Sequence, residues 1–318
     1  MLCLNGLSVS LDKRESGSDI DFISHAHSDH TSAAKSSKHV LASDQTVQLM
    51  ERAYEIDIGE MVENSGIRLL ESGHMLGAKQ LYMEDTQSNE RVVYTGDFQM
   101  QKSRTSNPIE VVDADRLIMT SVYPDPGVVF DDKEEVSAVM QQWVGGALKN
   151  GIVLFSAYAM GKAQELTALL NEAGIRPVVS RKICRVNEVY ESNGIALDYT
   201  SAYSEKSDYS ELVSGNFVGI TERRDVDVLA HELSTVHGKK VSTAVATGFA
   251  KVFRFRTDAQ FGLSDHADFN QSVEYIEATK AKKVLTYGSN CERFAENLRK
   301  KGYDASPFTG YGKAGDRA

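Results

Sequence analysis

The sequence predicts an α/β protein with a largely parallel sheet, and three observations carry that expectation. From Arg116 onward, short apolar strands alternate with helical stretches. Strand-like Leu117-Ile118-Met119 precedes a helix over 132–148, strand-like 152–155 precedes a helix over 161–170 stopped at Gly174, and 177–179, 217–220 and 241–245 supply further strands. Such alternation means a mostly parallel sheet flanked by helices, in Rossmann-like form. The amino-terminal part reads instead as successive strands, beginning with a hairpin in which Asn5-Gly6 supplies the two positive φ values of a tight turn. Finally, no GxGxxG fingerprint accompanies the alternation, which argues against a dinucleotide.

Each remaining segment takes its place around one heptapeptide, Ser24-His25-Ala26-His27-Ser28-Asp29-His30, directly after strand-like Ile20 to Ile23. Three imidazoles and a carboxylate within six residues predict metal binding. Alternate side chains of an extended backbone share a face, so His25 and His27 can grip one ion while Asp29 and His30 reach a second. Zinc suits nitrogen and carboxylate ligands with no thiolate nearby. Asp12, ending strand-like 8–11, is placed either to hydrogen-bond a ligand from behind or to cap a turn. Asp44 is the expected N-cap of a helix over 45–54, and His39 is read as structural. His74 lies in Ser72-Gly73-His74-Met75-Leu76-Gly77 between strand-like 67–71 and 80–83, and Asp97 ends strand-like 91–94 in a Gly-Asp turn. Each sits where one element hands over to another. His266 falls in Ser264-Asp265-His266-Ala267-Asp268, just before a helix over 270–279, and 284–287 and 292–300 read as a strand and an amphipathic helix.

The chain has 318 residues, 41% hydrophobic and 25% charged, with 35 basic against 45 acidic side chains, a net charge of −10. That composition fits a globular protein of one or two domains and excludes long disorder. A polyanionic partner would need local basic patches. The candidates are Lys102 with Arg104, Arg181-Lys182 with Arg185, Arg223-Arg224, Lys239-Lys240, and Lys251 with Arg254 and Arg256. Lys162, opening a helix after Gly161, could meet a phosphate at the helix N-terminus. Cys3, Cys184 and Cys291 form neither a disulfide framework nor a thiolate metal spacing. With no apolar run long enough to span a membrane and no cleavable leader pattern, a reduced, cytoplasmic setting without membrane contact is expected.

The motifs SHAHSDH, SGHMLGA, YTGDF and LSDHADF, in that order, resemble the metallo-β-lactamase superfamily and specifically its β-CASP nucleases, a group that includes ribonuclease J, archaeal mRNA 3′-end processing factors and ligase-associated exonucleases. GKAQE after strand 152–155 is similar to the GRAQE helix start of β-CASP caps. The resemblance implies a four-layer αββα sandwich from residues 1–125 and 256–318, with a Rossmann-like cap from 126–255. It implies two zinc ions: His25, His27 and His74 on one, Asp29 and His30 on the other, Asp97 bridging, Asp12 behind them. His266 would protonate the leaving oxygen, so that Asp29, Asp97 and His266 form the catalytic set, while Lys162 and Tyr287 are assigned to substrate.

Two positions depart from the group's pattern. Thr120 stands where an acidic residue usually orients the cap-proximal His, and Tyr287 where a His completes the second zinc site. The implied activity is zinc-dependent hydrolysis of single-stranded RNA in processing or decay, with a homodimer as an allowed assembly. Two alternatives stand beside it: a DNA exonuclease of the ligase-associated type, and a catalytically weak nucleic-acid-binding subunit of a processing complex.

Overall fold

A computed structural model describes residues 1–203, 213–222 and 226–310. Contacts group the chain into two compact units, one of 1–102, 106–129 and 266–318, the other of 103–105 and 130–265. Arg223-Arg224 lies outside the described residues.

In the first unit the hairpin forms as its turn residues dictate: β1 (Leu2–Leu4) pairs antiparallel with β2 (Leu7–Leu11) across Asn5 (φ 53°) and Gly6 (φ 79°). β3 (Ile20–Phe22), β4 (His39–Leu41) and β5 (Glu60–Met61) add in parallel, giving a five-stranded sheet. Helix α1 (Asp44–Tyr54) starts one residue earlier than its pattern predicts. The Ser43 hydroxyl, accepting from Thr46 N at 3.1 Å, is the cap, and Asp44 falls in the first turn.

The second sheet joins both ends of the chain. β6 (Ile67–Glu71), β7 (Lys79–Glu84), β8 (Arg91–Tyr94) and β9 (Arg116–Thr120) continue in order to β16 (Lys283–Tyr287) and β17 (Ala305–Pro307). Its inner strands β8, β9 and β16 are apolar on both faces because both are buried. Val92, Tyr94, Ile118 and Leu285 pack toward Val9, Leu11 and Phe22 of the first sheet. Val93, Leu117, Met119 and Val284 point the opposite way, into Phe269, Tyr275 and Ile276 of α6 (Phe269–Thr279) and Phe294 and Leu298 of α7 (Cys291–Lys300).

The second unit is a parallel six-stranded sheet in the order β12 (Thr200–Ser201), β11 (Val178–Val179), β13 (Val218–Glu222), β10 (Gly151–Ala157), β14 (Lys240–Ala246), β15 (Ala259–Phe261). Val153 and Phe155 of its central strand face α2 (Lys133–Leu148), α3 (Lys162–Glu172) and α4 (Arg181–Ser192), while Ile152 faces Leu233 of α5 (Val226–His237). Helices therefore cover both faces, as the strand-helix alternation dictates. The chain leaves this unit at Asp265, ten residues beyond the sequence-based boundary at 255, because Ala259–Phe261 pairs with β14.

α3 begins at Gly161, whose φ of 81° suits glycine, and Lys162 follows it. The Lys162 ammonium is buried and lies 3.6 Å from the Asp265 carboxylate, so its charge is neutralised within the protein rather than offered at a helix N-terminus. Lys133 is buried beside it, and burial together with the Lys162 charge lowers its pKa to about 8, against the pull of Glu165 and Asp265. Between about pH 8 and the ordinary lysine value of 10.5, the unfolded chain holds a proton that the folded chain has released, so stability rises with pH there. Below pH 8 the full penalty applies. Lys133→Met is therefore expected to stabilise the protein by about 3 kcal/mol at pH 7, with the gain vanishing toward pH 10.5, as read by urea denaturation at both pH values.

Candidate metal centre

Every residue of the His-rich loop is positioned by backbone and buried polar groups of the first unit. After β3, Ile23 N donates to Leu41 O at 2.9 Å and Lys79 N to Ser24 O at 2.8 Å, which fixes the loop between two sheets. Asp12, at φ 58°, turns its carboxylate inward beneath that loop. It accepts from Ser24 N (2.6 Å), Ser24 Oγ (2.8 Å), Tyr94 OH (2.6 Å) and His30 Nδ1 (2.8 Å). A buried carboxylate accepting from four such partners holds its neighbours in place. His30 Nε2 consequently faces inward.

Ser24 Oγ lies 2.9 Å from His25 Nδ1, leaving His25 Nε2 3.1 Å from His27 Nδ1. His74 follows Gly73, whose φ of 81° and contact with the backbones of Gln99 and Ile109 admit no side chain. Its Nε2 also lies 3.1 Å from His27 Nδ1. Asp97 follows Gly96, where φ is 54° and an added Cβ would fall 2.6 Å from Ser24 Cβ. Asp97 Oδ2 is the hub: His30 Nε2 stands 3.5 Å away, His266 Nδ1 3.6 Å and His25 Nε2 3.8 Å. His266 is stapled to the same loop, Ala267 N donating to Phe98 O at 2.8 Å and Gln99 Nε2 to His266 O at 2.9 Å.

The electrostatics follow from this crowding. Burial, then the nearby His30, His74 and His27 rings, push the His25 pKa well below the ordinary imidazole range. Burial opposes a charge on His30 as well, but Asp12 and Asp97 outweigh it and raise its pKa to about 10. Asp97, against its burial, is held below the usual carboxylate range by His30, His266, His74 and the Thr120 hydroxyl.

Within the first unit two sets of ligand atoms converge, each within 4.8 Å: His25, His27 and His74, and His25, His30 and Asp97. Among neutral imidazoles, one ring proton cannot satisfy two nitrogens that both approach His27 Nδ1 at 3.1 Å, whereas a cation would satisfy all three. The donor set is nitrogen and oxygen, suited to zinc.

Other sequence-assigned residues stand apart. The Asp29 carboxylate is 81% exposed, touches the cluster only through His30 Nε2 at 3.8 Å, and belongs to neither converging set. The Tyr287 hydroxyl donates to Leu11 O at 2.9 Å and its ring packs edge-on against Tyr94 and Phe308, with burial raising its pKa. That side chain is committed to packing rather than presented to a substrate. Lys162 is occupied by Asp265, as described. Thr120, where an acid would stand in the resembling group, places its Oγ1 2.9 Å from Asp97 Oδ1 and 2.7 Å from Gly96 O. It supports Asp97.

The sequence reading missed Tyr94 and Gln99. Tyr94 in an apolar strand looks like any core aromatic, although a hydroxyl at a fully buried position demands a partner.

A mixed α/β protein with convergent imidazole and carboxylate donors at strand ends is thus the class that the fold and site define. No family model matches the chain. Among curated proteins it is similar to a probable DNA ligase of Opitutus terrae (27% identity, 89% of this chain, 28% of the relative). It is also similar to an RNase J-like protein of Methanocaldococcus jannaschii (26%, 48% and 43%) and to endoribonuclease YSH1 of Candida glabrata (27%, 42% and 18%). The chain thus spans less than half the length of each of these relatives. The fold aligns with a crystal structure of a protein of unknown function from Enterococcus faecalis V583, with a TM-score of 0.59 at 13% identity, over 92% of this chain and 80% of that one. The RNase J-like and endoribonuclease names among these relatives agree with the β-CASP resemblance that the motifs carry. Among the described residues, no helix is long and apolar enough to cross a membrane.

Proposed function

We propose that this protein is a zinc-dependent phosphodiesterase acting on single-stranded RNA, with the first unit as a metallo-β-lactamase αββα sandwich and the second as an inserted β-CASP cap. The observation that carries the reading is the pair of converging donor sets that share His25, with Asp97 in the second. His25, His27 and His74 would hold one zinc and His30 with Asp97 the other, with Asp29, whose carboxylate lies 3.8 Å from His30 Nε2, able to close that second site from its exposed side. Bound zinc supplies Lewis-acid polarisation of the phosphate and a lowered pKa for water.

The chain's own residues do the rest. Asp12 fixes the tautomer and direction of His30, Ser24 those of His25, and Thr120 orients Asp97. His266, held at its carbonyl by Gln99, is placed to protonate the leaving oxygen. RNA is favoured by the names of the RNase J-like and endoribonuclease relatives, and DNA by that of the ligase-named relative, which aligns over most of this chain. A cytoplasmic setting is proposed on the three unpaired cysteines.

The test is direct. Zinc-loaded and chelated protein are incubated with matched end-labelled single-stranded RNA and DNA, and products are resolved on a gel. Cleavage of RNA in preference to DNA, lost on chelation and restored by zinc, is the expected result. Preference for DNA moves the assignment to the exonuclease reading. Binding without cleavage of either, in zinc-replete protein, replaces it by the binding-subunit reading.

A further inference from the structure

The basic patches of the sequence have different fates. Arg104 is taken up by Glu134 (2.5 Å) and Glu172 (3.0 Å), and Lys239 donates to the carbonyl of Ser214 (2.8 Å). The loop after β14 differs. There Thr247 caps a short 3₁₀ turn over Gly248–Lys251, and the chain runs on as Val252-Phe253-Arg254-Phe255-Arg256. Gln260 clamps this segment from below: its Nε2 donates to Ala250 O (2.8 Å) and Phe253 O (3.1 Å), and its Oε1 accepts from Phe255 N (3.1 Å). With its backbone held on three points, the loop is a built platform whose remaining freedom lies in its side chains.

What it presents is a ring between cations. Phe253 is 57% exposed and stacks on Phe249 at 6.0 Å and 29° between planes. With Val252, 46% exposed, preceding it in the chain, Phe253 belongs to a run of exposed apolar side chains rather than standing singly. Lys251 is not available, since its ammonium lies 2.6 Å from Asp131 and its stem runs over Gly262. Arg254 and Arg256 are exposed and make no hydrogen bond or ion pair among the described residues. Two unpaired, exposed guanidiniums one and three positions after an exposed ring, on a chain of net charge −10, supply local positive charge next in sequence to a stacking plane. A single-stranded nucleic acid matches it, because a base can lie on the ring while adjacent phosphates meet the arginines.

We infer that the Phe253-Arg254-Phe255-Arg256 loop is a binding site for single-stranded nucleic acid, separate in its residues from the metal centre. The inference rests on the phosphodiesterase reading for its choice of a nucleic acid over another polyanion. Phe253 supplies stacking, which does not depend on sequence, and Arg254 and Arg256 supply phosphate contacts, which depend on salt. The loop holds substrate without touching the reacting phosphate.

The experiment measures binding of a fluorescent phosphorothioate oligouridylate to the zinc-loaded full chain by anisotropy, over a range of salt. It compares wild type, Phe253→Ala, Phe253→Trp and a triple variant with Arg254→Gln and Arg256→Gln added to Phe253→Ala. Hydrolysis of bis(p-nitrophenyl) phosphate, which carries neither a nucleobase to stack nor a second phosphate, is followed in parallel. Phe253→Ala is expected to weaken binding about tenfold, with Phe253→Trp restoring it. The triple variant should further flatten the slope of log K against log salt by about 1.4 for two lost phosphate contacts. Small-substrate hydrolysis should stay at the wild-type rate. Unchanged affinity and slope in the triple variant overturn the inference, as does displacement of the RNA by oligoglutamate at equal charge concentration. A wild type that hydrolyses neither bis(p-nitrophenyl) phosphate nor unmodified oligouridylate defeats the phosphodiesterase reading. The loop is still supported in that case when RNA binds and the triple variant releases it.

Discussion

Asp97→Asn is expected to lower zinc-dependent hydrolysis by more than about a hundredfold, the upper range for losing even a supporting residue around a metal. The carboxylate does two things that an amide cannot, and is held by a third contact that an amide oxygen would keep. Its Oδ2 is the shared neighbour of His25, His30 and His266, at 3.8, 3.5 and 3.6 Å. Its negative charge offsets the crowding of imidazoles and helps raise the His30 pKa to about 10. Its Oδ1 lies 2.9 Å from the Thr120 hydroxyl, which fixes its direction. Asparagine has nearly the same volume, so the fold should survive and the loss should be chemical. Rate on RNA and zinc content per chain, measured together, check this. A variant with full zinc and wild-type rate would remove Asp97 from the centre.

Asp12→Ala should cost about 3–5 kcal/mol of folding stability, the range for removing one partner of a buried charged network. Ser24 N, Ser24 Oγ, Tyr94 OH and His30 Nδ1 all lose their acceptor in a fully enclosed place. Tyr94→Phe removes only one of the four and should cost about 1–2 kcal/mol. Guanidinium denaturation of zinc-loaded and chelated samples separates this structural loss from reduced metal affinity. Equal stability of Asp12→Ala and wild type in the chelated state would refute the network's structural role.

Much of the architecture was legible because period and punctuation agree with burial. β6 and the turn at Asn5-Gly6 follow their sequence signals residue for residue, since alternation, glycine and β-branched content act locally. Two-residue strands such as β5 and β11 carry too few residues for a period to register, and α4 and α5 were masked by their mixed, charged sequence. For the site, His25, His27, His30, His74, Asp97 and His266 cluster in space although they lie up to 241 positions apart in sequence. Composition alone shows the first three as neighbours. What supports them depends on tertiary pairing: Tyr94 reaches Asp12 from 82 residues away, and Tyr287 turned toward Leu11 by a strand position that no local pattern encodes.

The pairing of β16 between β9 and β17 bears on how the polypeptide is made. The second unit is nearly continuous in sequence and is complete once residue 265 has been synthesised. Residues 1–129 must wait. Until 266–300 follows, β9 offers an open edge, and Val93, Leu117 and Met119 lack the helices that cover them. Open edges and bare apolar faces invite association with other nascent chains. Translation order therefore makes residues 266–307 a closing piece: they cover the open edge of β9, shield the apolar face and bring His266 to the imidazoles. A ribosome stalled before that point would hold a chain whose clustered histidines lack their final neighbour.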